Sequence, residues 1–333
     1  MNSSINNKID LNLSIIIPHK NQLNELIYLL KNMLSWDLIP SKVIVIDSST
    51  NKFHLDEHLV KELEILGILI QIIKVNHAYP GMARNIGFLA SKTRLVAFLD
   101  VSTLPDTNWL FESISILNSN LNYSGVWGRT VYVEKNKFNQ IIKFATFGAL
   151  PLITVPGTII KREFFSVVGY FIESTRAGED TDWIGRVNLH KINMANTNRS
   201  LLKYSLNIIN IKSLIYKWYR NYLFTSRLPY FNAHKSIYYH FFILLLLIFA
   251  FNWNWIVAGW ERDNFLYFPN ITKITAIIIL FLYLLVRGVL LPFRKGVNIY
   301  ELLPYKWLAV ASISLLLDIT KMWAFFKARI SNV

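Results

Sequence analysis

The sequence predicts an α/β domain built on a mostly parallel sheet, followed by a C-terminal α-helical hairpin that spans a membrane. Three observations carry that expectation. Short apolar, β-branched runs alternate with helical patterns over the first hundred residues. Two apolar segments long enough to cross a bilayer lie beyond residue 236. The composition falls between the two classes: 53% of the 333 residues are hydrophobic and 17% charged, against roughly 45–50% apolar and about 25% charged in soluble domains. So apolar a chain is not intrinsically disordered. The absence of cysteine excludes a disulfide framework, Cys-ligated zinc, an Fe–S cluster and a cysteine nucleophile. The expected organisation is a first domain over 1–230 and a membrane region over 231–333.

Within the first domain, Leu13–Ile17 (LSIII) is a short apolar run closed by Pro18, and reads as a strand. Asn21–Leu34 carries Leu23, Leu26, Leu29, Leu30 and Leu34 at helical spacing. Val43–Ile46 is a second strand ending in Asp47 and the turn-prone SST. Ile68–Val75 is a third, and Leu95–Leu99 a fourth that ends in Asp100, with a helix over Gly81–Ser91 between them. Near-continuous apolar strands alternating with helices imply a sheet covered on both faces. Ligands of such sheets bind at the carboxyl ends of strands, where Asp47 and Asp100 stand. A strand-end Asp is also a common helix cap, so position alone leaves both readings open. No GxGxxG or P-loop signature is present, which removes the common dinucleotide and ATPase readings.

The net charge of +14 is unevenly placed. Between Trp183 and Trp260 there is no acidic residue, while Arg186, Lys191, Arg199, Lys203, Lys212, Lys217, Arg220, Arg227 and Lys235 are basic. The run leads directly into Ile237–Val257, which is apolar except for His240, Asn252 and Asn254. Anionic membrane lipid is therefore the expected partner of this run, rather than nucleic acid. A second span is expected over Thr272–Pro292, with basic residues Arg287, Arg294, Lys295 and Lys306 at and beyond its end. Basic flanks outside both spans place the N-terminal domain on the cytoplasmic face of the cell membrane in a multi-pass arrangement. Trp307–Phe326 is interrupted by Asp318 and Lys321, and an intramembrane charge is costly, so an interfacial helix is expected there. The N-terminal MNSSINNKIDLN lacks the apolar core of a leader peptide.

Four segments carry the chemistry. They are SIIIPHKN with Pro18 and Asn21, VIVIDSST with Asp47, GMARNIGFLASKTRLVAFLDVS with Arg84, Asn85, Gly87, Ala90 and Asp100, and GEDTDWIGRV with Glu179, Asp180, Asp182 and Arg186. Singly, each has an ordinary structural explanation. In this order they resemble the inverting glycosyltransferases of family 2, whose GT-A fold is a Rossmann-like domain that binds a nucleotide sugar. The resemblance covers roughly residues 11–230.

That resemblance implies roles. Pro18, Asn21, Asp47, Arg84 and Asp100 would bind the donor, and Asp180 would be the base that takes the acceptor hydroxyl's proton. Glu179, Asp182 and Arg186 would either position the acceptor or fix a loop. Small Gly87 and Ala90 would let their helix pack close to the sheet. Lys217, Trp218 and Arg220 resemble a segment that closes over the diphosphate in membrane-bound relatives; alternatively Trp218 is an interfacial anchor. Asp100 matches the first Asp of the family's DXD motif, implying a divalent cation, Mg²⁺ or Mn²⁺, at the diphosphate. Ser102 stands where the second Asp of that motif belongs, and a hydroxyl is a weaker ligand than a carboxylate. The expected activity is transfer of a sugar from a nucleotide-sugar donor to a lipid-linked or membrane-associated glycan. A polyprenyl-phosphate glycosyltransferase and a non-catalytic membrane partner are the alternatives.

Overall fold

The computed structural model describes residues 11–51, 53–197, 202–228 and 234–330, and within 234–241 the backbone alone. The polar N-terminal segment through residue 10 and Arg199 of the basic run lie outside the described residues. The chain divides into two compact units. One joins Met1–Val133 to Pro151–Leu206, and the other joins Glu134–Leu150 to Asn207–Val333.

The first unit begins with β1 (Leu13–His19), α1 (Leu23–Met33), β2 (Lys42–Asp47), α2 (Glu57–Ile65), β3 (Leu69–Lys74), α3 (Pro80–Ala90) and β4 (Leu95–Phe98). It continues through β5 (Thr103–Pro105), α4 (Trp109–Ser119) and β6 (Gly125–Glu134). The chain then makes α5 (Lys137–Thr146), which belongs to the second unit, and returns as β7 (Leu152–Lys161). The short α6 (Arg162–Val168), α7 (Glu179–Leu189), β8 (Met194–Ala195) and β9 (Leu202–Leu206) complete it.

The strands form one mixed sheet in the order β3-β2-β1-β4-β7-β6-β9-β5, with β8 beside β6. The expected parallel arrangement holds for β3, β2, β1 and β4. Beyond β4 the sheet changes character, because β7 runs antiparallel to both β4 and β6. Side chains of successive strand residues point to opposite faces, and both faces of β1 are covered. Ile15 and Ile17 join the core containing Leu26, Leu29 and Trp109, while Ile16 joins the one containing Phe88, Phe165 and Trp183. Pro18 lies inside β1 rather than closing it. The pairing of β1 with β4 ends at Ile16, so at Pro18 only β2 is a neighbour and the missing N–H is tolerated.

The second unit is helical. After α5 come α8 (Ile211–Thr225), α9 (His234–Ile256) and α10 (Ile271–Leu285), which runs through a π-helical turn (Val286–Leu290) into α11 (Leu291–Arg294). The short α12 (Ile299–Leu302) and the 25-residue α13 (Lys306–Ile330) follow. Phe144 and Ala145 of α5 pack with Val297, Leu302 and Val310, and Ile142 packs with Ile208, Leu214 and Leu317. Among the described residues two helical segments are long and apolar enough to cross a membrane, Ile271–Arg294 and Lys306–Ile330. Within α9 the apolar stretch with described side chains is Phe242–Ile256. The stretch expected to lie at the interface is thus one long helix. Its Asp318 is turned inward, 4% exposed, where Arg287 (2.8 Å), Lys321 (3.2 Å) and the Tyr283 hydroxyl (2.9 Å) satisfy it. These partners offset part of the cost of burying the Asp318 charge.

Candidate active site

A cleft of about 430 Å³ opens in the first unit at the carboxyl ends of β1, β2 and β4. Its wall is built from Pro18–Gln22, Ser48, the start of α3 with Arg84, Asp100–Ser102, and Arg176, Glu179 and Asp180 around the start of α7. A second hollow of about 590 Å³ shares His19 and Asn21 with it.

Arg84 is the centre of the cleft wall, and close packing of α3 puts it there. A Cβ on Gly87 would stand 2.4 Å from Cγ2 of Ile16, so only glycine lets α3 sit this near β1. Asn85 on the same helix donates to the Phe171 carbonyl and to Glu173, and accepts from the Phe171 amide. The side chain of Arg84 is 1% exposed. Its Nη1 donates to Oε1 of Glu179 (3.0 Å) and Oδ1 of Asp180 (2.7 Å), and its Nη2 to Oδ1 of Asp100 (3.0 Å). Burial favours loss of its proton, but the surrounding charges of Asp180, Asp100 and Glu179 outweigh that and raise its pKa.

The carboxylates respond in the other direction. Burial pushes the Asp180 carboxyl up; Arg84 opposes this, and the nearby Glu179 and Asp100 charges reinforce it. Asp180 nevertheless keeps 35% of its side-chain surface open, on the cleft wall. Glu179, 7% exposed, is also pushed up by burial. Gly178 at φ 91° is the N-cap of α7, a left-handed conformation that suits glycine and sets the first turn of acids beside Arg84. Asp182 lies away from the cleft. It is bound by Arg186, whose guanidinium also donates to the carbonyls of Val168 and Tyr170, so this pair fixes the loop before α7.

Asp47 does not line the cleft. Its side chain is 2% exposed and accepts from Lys74 Nζ (2.7 Å) and the Ser49 amide (2.9 Å), with His19 Nδ1 at 2.9 Å. Burial would raise its pKa, yet the bonds from Lys74, Ser49 and His19 hold it at about 2. An ionised Asp47 accepts a hydrogen bond from Nδ1–H of His19, while Nε2 accepts one from the Gln22 amide (3.2 Å), so both ring nitrogens are committed. The strand-end carboxylate thereby shapes the loop that presents Pro18 and Asn21 to the cleft. Asn21, at φ 53°, is itself tied to the β2 loop through Ser49 and Thr50.

Lys217, Trp218 and Arg220 lie on α8 of the second unit. Trp218 stands beside Phe147 and packs against the core of Ile142 and Leu214, and Arg220 lies over the Tyr216 ring. The polar cleft residues not foreseen from the sequence are His19, Lys20, Gln22, Ser48 and Arg176. Lys20 and Ser48 sit inside motifs already singled out, whereas Arg176 carries no signal beyond lying just before GEDTD. Tyr132 on β6 was also missed; burial, with Tyr204, Asp180 and Asp100 nearby, raises the pKa of its phenol.

The residues present do not make a cation cage. Among the described residues no group of three His, Cys, Asp or Glu side chains could hold a metal ion. Oδ1 of Asp100 and of Asp180 is bound to Arg84, and Ser102 offers only a hydroxyl. A hard divalent ion prefers six or more oxygen ligands, and here the cleft wall contributes one unengaged carboxylate oxygen each from Asp100 and Asp180, beside the Ser102 hydroxyl.

Residues 14–177 match the family profile described as Glycosyl transferase family 2. No curated protein sequence matches the chain. Among solved structures, Staphylococcus aureus TarS residues 1–349 in complex with UDP-GlcNAc is 15% identical with a TM-score of 0.45, covering 96% of this chain and 91% of that one. The same fragment with UDP is 14% identical with a TM-score of 0.44, covering 96% and 92%. A longer TarS structure is 13% identical with a TM-score of 0.43, and this chain spans 55% of its length. The profile covers the region that carries Arg84, Asp100 and the approach to Asp180, and over that region, residues 14–177, the chain is a family 2 glycosyltransferase domain of GT-A fold.

Proposed function

We propose that the chain is an inverting glycosyltransferase that moves a sugar from a nucleotide-sugar donor to a hydroxyl of a lipid-linked or membrane-associated glycan, in cell-surface polysaccharide or glycolipid synthesis. The observation that carries this reading is that Asp100 and Asp180, far apart in sequence, share the guanidinium of Arg84 on one cleft wall. Asp180 is the base. Its second carboxylate oxygen has no partner among the described residues and its side chain is open to the cleft. The acceptor oxygen attacks the anomeric carbon as its proton passes to Asp180, and the bond to the donor phosphate breaks with its electron pair on the leaving nucleoside diphosphate. Asp100, Pro18 and Asn21 bind the donor side of the cleft, and Asp47 acts on it through His19 and the loop.

The apolar faces of α10 and α13 support a membrane position, and the basic run before α9 suits the anionic headgroups of the cytoplasmic leaflet. Because the protein offers so few oxygens for a metal, no step is derived through a divalent cation. The test is label transfer from UDP-, GDP- and dTDP-sugars into the lipid fraction of membranes containing the chain, with chelator and with Mn²⁺. Asp180→Asn is expected to lower transfer by about 10²–10⁴-fold, the usual contribution of a positioned base, while donor affinity stays within a few-fold. Near-normal turnover in that variant overturns the assignment.

A further inference from the structure

Lys20, Arg84 and Arg176 bring positive charge to the cleft wall, and they are not equivalent. Arg84 is committed to Asp100, Glu179 and Asp180. Lys20 and Arg176 make no hydrogen bond or ion pair among the described residues. For Arg176 this is unexpected, because Glu179 and Asp180 follow it within four residues, it is half-buried, and both acids turn to Arg84 instead. A half-buried guanidinium that has given up part of its hydration without gaining a partner is unstable relative to one that meets an anion.

Both cations are held on fixed backbone. Arg176 sits in a turn closed by the Thr175 hydroxyl donating to the Ala177 carbonyl (2.8 Å), between the Asn85 anchor on Phe171 and Gly178 at φ 91°. Lys20 precedes Asn21, whose positive φ and bond to Ser49 fix the β1–α1 loop. The start of α3 opens on the same cleft and has no side-chain cap, so its first amides add positive potential there.

We propose that Lys20 and Arg176 hold the diphosphate of the donor, supplying two positive charges where Ser102 has removed the second carboxylate that would help recruit a metal ion. This rests on the donor reading given above and adds two residues outside the motif resemblance. As the anomeric bond breaks, negative charge grows on the phosphate oxygen that leaves, and a positioned guanidinium stabilises it through charge-assisted hydrogen bonds.

The test uses the full-length chain in detergent micelles. Binding of UDP, GDP and dTDP is measured calorimetrically in EDTA and in Mg²⁺, and binding of uridine, guanosine and thymidine by competition. At least one diphosphate is expected to bind in EDTA. Arg176→Ala is expected to weaken it about tenfold or more, as befits loss of a charge-assisted contact, with the nucleoside affected less than about twofold. Lys20→Ala acts in the same direction and less strongly, and Arg176→Lys restores part of the loss. Retained nucleoside binding shows that the variants are folded. Diphosphate binding that Arg176→Ala leaves unchanged, or that exists only with Mg²⁺, overturns this proposal while leaving the donor reading intact. A wild-type chain that binds none of the three nucleotides overturns both.

Discussion

Arg84 divides one positive charge among three acids, and that arithmetic governs how the cleft responds to protons. The base must be ionised to accept a proton, and in this protein Asp180 is pushed above the ordinary 3.8, to about 8. The open side of its carboxyl moderates the rise, so the acidic limb of kcat is expected between those two values. Transfer should therefore increase with pH through this window, and a profile flat down to pH 4 would overturn the account of Asp180. Most of the residues around Arg84 could be read from the sequence, because the order of their motifs is distinctive. Asp47 could be placed near the cleft but not oriented: a strand-end position does not say whether the carboxylate faces a ligand or, as here, His19 and Lys74. Lys20 and Arg176 escaped because their significance lies in the absence of partners, which only coordinates reveal.

Helix α3 transmits packing to chemistry, since Gly87 and Arg84 lie one turn apart on it. Gly87→Ala places a methyl carbon against Ile16, and overpacking of this kind costs about 1–3 kcal/mol, partly offset by roughly 1 kcal/mol of helix propensity. The variant should lose transfer out of proportion to its loss of stability, because α3 and Arg84 move together. Ile16→Ala in the same chain removes the obstructing atoms, so the double variant should be less damaged than the sum of the two singles. Thermal melts and initial rates on the four proteins check this; strict additivity would show that α3 is not held off by Ile16. The parallel half of the sheet was readable because β1, β2, β3 and β4 are apolar runs bounded by turn residues and interleaved with helical patterns. The antiparallel half was not. A register shift between Val126 and Gly128 breaks the period of β6, and β8 is two residues long. The environment of Asp318 on α13 was hidden for a related reason, because one partner that neutralises it is Arg287 on a different helix.

The chain crosses between its two compact units three times, not once, since α5 leaves the sheet unit and returns. A boundary near residue 230 is therefore not where the sheet unit can be cut free. Truncation after Leu206 would strand the apolar face of α5, including Ile142 and Phe144, without the helices that bury it. Such a fragment is expected to aggregate, whereas one in which 134–150 is also replaced by a short polar linker should be soluble; light scattering on the two fragments decides. Charge and hydropathy along the sequence indicated a hydrophobic C-terminal part but not this excursion, because α5 is an ordinary amphipathic helix whose partners lie far downstream. The same excursion sets a timetable for synthesis. Helix α5 leaves the ribosome long before α13 has been translated, so the part of its apolar stripe that meets Val310 and Leu317 stays uncovered until α13 follows. Synthesis of α13, rather than closure of the sheet, is then the step that completes the core of α5.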